Sequence, residues 1–339
     1  MKKSYDRMDG HTFEHYCAGL LRRNGFHHVE VTRGSGDQGI DILAWKHRKK
    51  YGIQCKCYSY YLGNKAIQEA YAGMKFYECD VAAVLTNQYF TNSAVALAGK
   101  TDVGSVRPEN QDDYRAGELN SDAAWGLVCD GMGGARGGRE ASVSACDVIE
   151  HSFHEQYAQC LPGDEEKFLK RALINANRFV FQKASREEEL AGMGTTAVCA
   201  LVRGGNAFIC HAGDSRAYLV RDGRLTQLTH DHSYVQELVD CGTITVEEAE
   251  HHPQKNIITR ALGVDYRLEP EFATAQLHSG DILLLCSDGL TNAVPKEQLE
   301  QLLRTGKFYD LPDLLIRTAN ENGGPDNITA LLLCVEEVR

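Results

Sequence analysis

No stretch of this 339-residue chain is apolar for the roughly 18 residues a membrane-spanning helix needs. The apolar run Asp281–Cys286 (DILLLC) falls far short of that. The opening residues, MKKSYDRMDGHTFEHY, follow their lysines with no apolar core, so a secretion signal is not expected. There is no internal repeat, no low-complexity tract and no Pro/Ser-rich linker. Cysteine is plentiful, at 12 residues, but without a paired framework. Cys55 and Cys57 (QCKC) stand one residue apart, and no second pair completes a zinc site. These absences point to reduced thiols in a cytoplasmic protein that makes no membrane contact.

What is present is enough for two domains of ordinary size. The apolar and charged fractions, 43% and 24%, are those of a globular protein with a sizeable core. Charge is uneven along the chain. Residues 1–98 carry 13 Lys+Arg against 9 Asp+Glu, a net of +4, whereas the remaining 241 residues carry 23 against 38, a net of −15. A mildly basic segment suits a polyanion partner and a strongly acidic one suits divalent cations. Ordinary solvated surfaces would also produce such an asymmetry.

Periodicity divides the chain near Ala98. In the first part, Gly10–Asn24 has apolar residues at helical spacing (Phe13, Tyr16, Cys17, Leu20, Leu21) and stops at Gly25. Val29–Thr32 reads as a strand and residues 33–39 (RGSGDQG) as a Gly-rich turn. Ile40–Trp45 and Lys50–Cys57 read as a strand pair. Asn64–Tyr77 reads as a helix, Val81–Thr86 as a buried strand, and Ser93–Ala98 as the start of another helix. From Gly99 onwards short apolar strands dominate: Ala124–Cys129, Thr195–Val202, Asn206–Ala212, Arg216–Arg221, Asp281–Cys286 and Asn327–Glu336. Long helical stretches lie near Gly138–Tyr157 and Glu165–Arg186. That pattern predicts an α+β protein whose larger part has two packed sheets flanked by helices.

In this larger part, aspartates recur at strand ends beside Gly, Asn or Ser: Asp130 in CDGMGG, Asp214 in HAGDSRAY, Asp288 in CSDGL and Asp326 in GGPDNIT. A carboxylate there is held at a sheet edge, and the small neighbour leaves room for solvent, metal or backbone carbonyl. Separated aspartates without clustered His or Cys suit Mg²⁺ or Mn²⁺ rather than zinc. Any one of them could equally be a turn or a helix cap.

Their joint order resembles the PPM family, the type 2C metal-dependent Ser/Thr phosphatases, in its compact bacterial form. The resemblance runs from Gly99 to the C-terminus through GKTDVGSVRPENQDD, GLVCDGMGG, GMGTTAV, HAGDSRAYLVRDGRLTQLTHDHS, ITRALG, GDILLLCSDGL and GGPDNIT. It implies an α-β-β-α sandwich over residues 99–339 that hydrolyses phosphoserine and phosphothreonine in proteins, with a Ser/Thr kinase as an opposing partner. It further implies two or three Mn²⁺ or Mg²⁺ ions. Asp130 would bridge two of them with the Gly131 carbonyl as a further ligand, Asp288 and Asp326 would complete the first, and Asp214 with Asp288 would hold the third. Arg107 would grip the substrate phosphate as a bidentate fork. Asp112 and Asp113 would orient water or brace loops. Asp231, His211 and His232 would be structural, and Tyr234–Lys255 would be the flap beside the site. Met132 stands where animal relatives have a proton-donating His, which leaves the general acid unassigned.

In the first part, Asp41 enters a strand, and Gln54 and Lys56 lie two apart on the next, facing one side. A carboxylate, an amide oxygen and an ammonium together can hold Mg²⁺ and position water. A polar strand edge with a surface lysine fits the same residues. The wider text, from Met8 through the QCKCYS strand to AIQEAYAGMKFYECDVAAVLTNQYFTNSAVALA, resembles the Mrr-like restriction endonuclease domain, a branch of the PD-(D/E)xK nuclease fold. The resemblance implies a smaller α/β domain over residues 1–98, trimmed at its C-terminal edge. Its site would be Asp41, Gln54 and Lys56 with Glu14 in support, Gln54 standing where the general motif has an acid and Asp37 being a weaker candidate. DNA would be its partner, cleaved with Mg²⁺ or only bound. An alternative assignment makes the chain a DNA endonuclease or DNA-binding regulator controlled by its phosphatase part.

Overall fold

The computed structural model describes residues 8–32, 39–57, 65–86, 95–120 and 123–335. The chain divides by contacts into two compact units, Met1–Ser93 and Ala94–Arg339.

The smaller unit runs α1 (Gly10–Arg23), β1 (His27–Val31), β2 (Ile42–Lys46), β3 (Lys49–Lys56), α2 (Lys65–Phe76) and β4 (Val81–Thr86). Asp9 caps α1, its carboxylate accepting from the Thr12 amide and hydroxyl. The apolar stripe Phe13, Cys17, Ala18 and Leu21 packs on Val29, Ile42, Ala44 and Ile53. The sheet order is β1-β2-β3-β4, antiparallel except for the parallel pair β3–β4. A parallel pair needs a crossover, and α2 supplies it. The expected Gly-rich turn before Asp41 lies mostly outside the described residues, as does Asp37.

The larger unit opens with β5 (Val95–Asp102). A helix was expected to begin at Ser93; instead VALAGKTD is a strand, paired residue for residue with the last strand of the chain. A short apolar run does not separate helix from buried strand by periodicity, and here an available sheet edge decides. Then follow β6 (Asp112–Asn120), β7 (Ala123–Met132), α3 (Gly134–Gln156), α4 (Glu165–Arg186), β8 (Gly194–Thr195), β9 (Ala197–Arg203), β10 (Asn206–Ala212), β11 (Arg216–Arg221) and β12 (Arg224–Gln227). The chain continues through α5 (Tyr234–Asp240), α6 (Val246–Glu250), β13 (Glu271–Gln276), β14 (Ile282–Cys286), α7 (Asp288–Ala293), α8 (Lys296–Thr305), α9 (Leu311–Glu321) and β15 (Ile328–Val335).

Two sheets result, ordered β13-β10-β9-β7-β6 and β12-β11-β14-β15-β5. Their facing sides bury Val128, Val198, Ala200, Ile209, Leu219, Leu283, Leu285, Leu331 and Leu333. The outer face of the first sheet packs on α3 and α4, with Trp125 stacked on Phe153 at 4.4 Å between ring centres. The second packs on α7, α8 and α9 through Leu284, Leu299, Leu315 and Leu332. The four layers are helix, sheet, sheet, helix. Among the described residues no disulfide joins any of the cysteines. Among the described residues no helix is long and apolar enough to cross a membrane.

Candidate functional site

In the larger unit the strand ends and the loops joining them carry the acids. Asp130 lies near the end of β7, Asp214 between β10 and β11, Asp288 at the first turn of α7, Asp326 just before β15, and Asp112 at the start of β6 opposite Asp130. Asp130 is fixed through its backbone: its amide donates to the Thr196 hydroxyl at 3.0 Å, and its carbonyl accepts from the Thr195 hydroxyl at 2.9 Å and the Thr196 amide at 2.8 Å. This is why the expected strand Thr195–Val202 breaks at Thr196 into β8 and β9. The two glycines of the DG pairs are set by close approach. A Cβ on Gly131 would lie 2.1 Å from the Gly138 carbonyl oxygen, and one on Gly289 would lie 2.0 Å from that of Asn327.

The acids feel one another. Burial raises the Asp130 carboxyl well above its usual range, and the charges of Asp112, Asp288, Asp214 and Asp326 add to the effect. Burial pushes Asp214 up to about 8, with Asp288 next in weight. It also raises Asp288, with Asp326 adding. Asp112 is pushed up to about 7 by burial, against the pull of the Thr329 and Ser287 hydroxyls. Those hydroxyls donate to Asp112 Oδ2, each at 2.7 Å, while its buried Oδ1 has no hydrogen-bond partner among the described residues. Like charges converging on buried oxygens are costly unless a cation joins them. The donor set is all oxygen, which fits Mg²⁺ or Mn²⁺.

Arg107, half-exposed, donates from Nη2 to Asp326 Oδ2 at 2.7 Å, and Asp326, Asp130 and Asp288 all hold its charge in place. The loop that carries it is pinned by Asn327, whose amide donates to the Val103 and Glu109 carbonyls and whose oxygen accepts from the Gln111 amide. Sequence reasoning passed over Asn327, Ser287, Thr329 and Thr196. Asn327 and Ser287 adjoin an aspartate and Thr196 closes the GTT triplet, while Thr329 lies three residues beyond Asp326. Asp113 instead holds Arg115 at 2.7 Å, and Asp231 holds Arg216 through both oxygens.

Among the described residues, His211, His232 and Glu271 are close enough to share an ion, but their geometry opposes it. The two rings are stacked 4.8 Å apart and within 5° of parallel, so their in-plane lone pairs do not converge. The Arg260 guanidinium also sits 3.1 Å from His232 Nε2. Burial, then the His211 neighbour, lowers His232 to about 4. His211 Nε2 bonds the His230 carbonyl and the Gly213 amide donates to His232 Nδ1, so the pair braces the loops around Asp214.

In the smaller unit the Cys55 amide donates to Asp41 Oδ2 at 2.5 Å. Gln54 Nε2 and Lys56 Nζ both reach Glu69 Oε2 on α2, at 2.8 and 2.9 Å. Gln54 is buried, and its Oε1 has no hydrogen-bond partner among the described residues. Glu14, on α1, accepts from His11 at 3.1 Å. Hydrogen bonding to Cys17 and burial raise the Cys55 thiol, and Asp41 and Glu14 add to the rise. Asp41 and Glu14 thus flank Cys55, while Gln54 and Lys56 share Glu69, an acid that the sequence pattern did not single out.

Comparison with known proteins agrees with this division. Residues 5–107 match the Mrr-type family described as restriction endonuclease, and residues 105–332 match protein phosphatase 2C. The first match runs through β5, although that strand's pairing belongs to the larger unit. The serine/threonine phosphatase stp of Listeria monocytogenes is 39% identical over 235 residues, covering 69% of this chain and 93% of that protein. The structure of the S. agalactiae serine/threonine phosphatase aligns with a TM-score of 0.68 at 35% identity, covering 71% of this chain and 100% of that one. The catalytic domain of the phosphatase PstP, solved in complex with two manganese ions, aligns with a TM-score of 0.64 at 36% identity, covering 72% and 99%. With more than half of its length matched by the phosphatase model, the chain belongs to the protein phosphatase 2C family and carries an Mrr-type restriction-endonuclease segment ahead of that domain.

Proposed function

We propose that the larger unit, spanning about residues 99–339, hydrolyses phosphoserine and phosphothreonine in protein substrates. The observation that supports this most is the convergence of Asp112, Asp130, Asp214, Asp288 and Asp326 from separate strand ends. Asp130 and the Gly131 carbonyl would serve two Mn²⁺ or Mg²⁺ ions, Asp288 and Asp326 the first of these, and Asp214 with Asp288 a third. When bound, such ions lower the pKa of water and neutralise charge on phosphoryl oxygens. The protein's own part is placement. Thr195 and Thr196 fix Asp130, Ser287 and Thr329 fix Asp112, and Asn327 fixes the loop of Arg107. Arg107 keeps donors beyond the one given to Asp326 and can take two phosphate oxygens as a fork. In an assay of phosphate release from a phosphothreonine peptide with Mn²⁺, Arg107→Ala is expected to raise KM by about 10–100-fold, the worth of a charge-assisted pair of ~1.5–3 kcal/mol. An unchanged KM would remove Arg107 from substrate binding.

A second reading concerns the smaller unit and is favoured by the meeting of Gln54, Lys56 and Glu69. We propose that about residues 1–98 form a Mg²⁺-dependent endonuclease module acting on DNA, with Asp41 and Gln54 as ligands, Lys56 positioning water, and Glu14 in support. Supercoiled plasmid is expected to be nicked with Mg²⁺, and Lys56→Ala to slow nicking by roughly 100-fold or more. Retention of DNA on a mobility gel with no nicking would reduce the module to a binding domain.

A further inference from the structure

We infer that Glu69 is a positioning residue of the nuclease-type site, turning the Gln54 amide so that Oε1 faces a divalent cation and holding Lys56 beside it. The inference rests on the nuclease reading of the smaller unit and adds to it a residue that the motif does not contain. A carboxylate can only accept hydrogen bonds. The atom of Gln54 that meets Glu69 at 2.8 Å must therefore be the NH₂ group, and Oε1 is left at the other end of the amide. That oxygen belongs to a residue only 3% exposed and has no hydrogen-bond partner among the described residues. A buried amide oxygen in that state is ready to ligate a cation.

Gln54 stands where the motif has a carboxylate, so the ligand on β3 is neutral. Glu69 puts a full negative charge one hydrogen bond behind it, and N–H donation to that charge polarises the amide and strengthens Oε1 as a donor. The same oxygen of Glu69 accepts from Lys56 Nζ at 2.9 Å, which fixes the ammonium next to the amide. The backbone of Glu69 also approaches the turn before Asp41: a Cβ on Gly39 would lie 2.8 Å from the Glu69 carbonyl oxygen. One residue of α2 therefore touches both segments that supply the site.

The test uses the full chain carrying Asp130→Asn, so that ions of the phosphatase centre are weakened, and follows Mn²⁺ by electron paramagnetic resonance together with plasmid nicking. A Mn²⁺ site lost on Asp41→Ala identifies the ion of the smaller unit. Glu69→Gln is expected to weaken that site by about 10–100-fold and to slow nicking similarly at limiting metal, with recovery at high Mn²⁺. A merely structural role would lower the melting temperature and leave Mn²⁺ affinity alone. Gln54→Glu alone sets two carboxylates together and is expected to impair nicking. Adding Glu69→Gln to it restores the donor–acceptor pair in reverse and is expected to recover nicking by about tenfold or more. An Asp41-dependent ion and nicking that both ignore Glu69→Gln would overturn the inference and leave the nuclease reading standing. No Asp41-dependent ion and no nicking in the otherwise unaltered chain would overturn the reading, and the inference with it.

Discussion

Asp130→Asn is expected to cut phosphate release from a phosphothreonine peptide by roughly 1,000-fold or more, about 4 kcal/mol of transition-state stabilisation. The amide keeps the shape of the side chain but brings one neutral oxygen in place of a charge that two cations would share. The same variant has an opposite effect on the ion-free protein. Asp112 and Asp214 are raised from 3.8 to about 7 and about 8, and Asp130 and Asp288 are raised too, burial being the largest cause in each case. Between about pH 4 and 8 the folded chain keeps protons that the unfolded chain releases, so ion-free stability falls as pH rises through that window. Mn²⁺ displaces those protons, and the stabilisation it gives grows over the same range. Removing the Asp130 charge relieves the repulsion. At pH 8 the ion-free variant is expected to melt above its parent, and Mn²⁺ to raise its melting temperature less. Scanning calorimetry at pH 5 and pH 8, with and without Mn²⁺, measures both. An ion-free parent more stable at pH 8 than at pH 5 would contradict the account.

Gly131→Ala should be nearly as damaging, for a steric reason. The new methyl would stand 2.1 Å from the Gly138 oxygen, 2.4 Å from its carbon and 2.8 Å from the Gln111 oxygen, all backbone atoms. None can swing aside, so the first turns of α3 and the end of β7 must separate, and the carbonyl proposed as a ligand moves with them. A misplacement of about 1 Å costs ~100-fold in rate, and forced overpacking costs about 3 kcal/mol, or roughly 6–12 °C in melting temperature for a unit of this size. Gly192→Ala is the control. Gly192 has φ +76 with nothing within 4 Å of an added Cβ, so it should lose only about 1 kcal/mol and keep its activity. Equal behaviour of the two variants would mean that close packing at Gly131 is not what makes glycine necessary there.

Much of this was legible in the sequence, and the limits have physical causes. Asp130, Asp214 and Asp288 could be read because each follows an apolar strand and precedes a Gly or Ser too small to cover it, whereas Asp326 was legible from the GGPDNIT text just ahead of the last strand. Strands 206–212 and 216–221 were clear because their apolar runs are bounded by glycine. The strand at Val95 was misread as a helix because its pairing partner lies more than 200 residues away, and local pattern carries no information about that edge. Ser287, Thr329 and Asn327 were passed over because a hydroxyl or amide reveals its role only when folding sets it against a buried acid. Glu69 was missed for a related reason. It lies on a helix whose spacing from the QxK strand is fixed by the crossover, not by any motif.

The pairing of β5 with β15 sets Val95 directly opposite Val335. The larger unit therefore starts and finishes at one point on its own rim, with its first and last strands zipped together. A body whose ends meet can be spliced behind another gene segment as a cassette, because neither junction threads its interior.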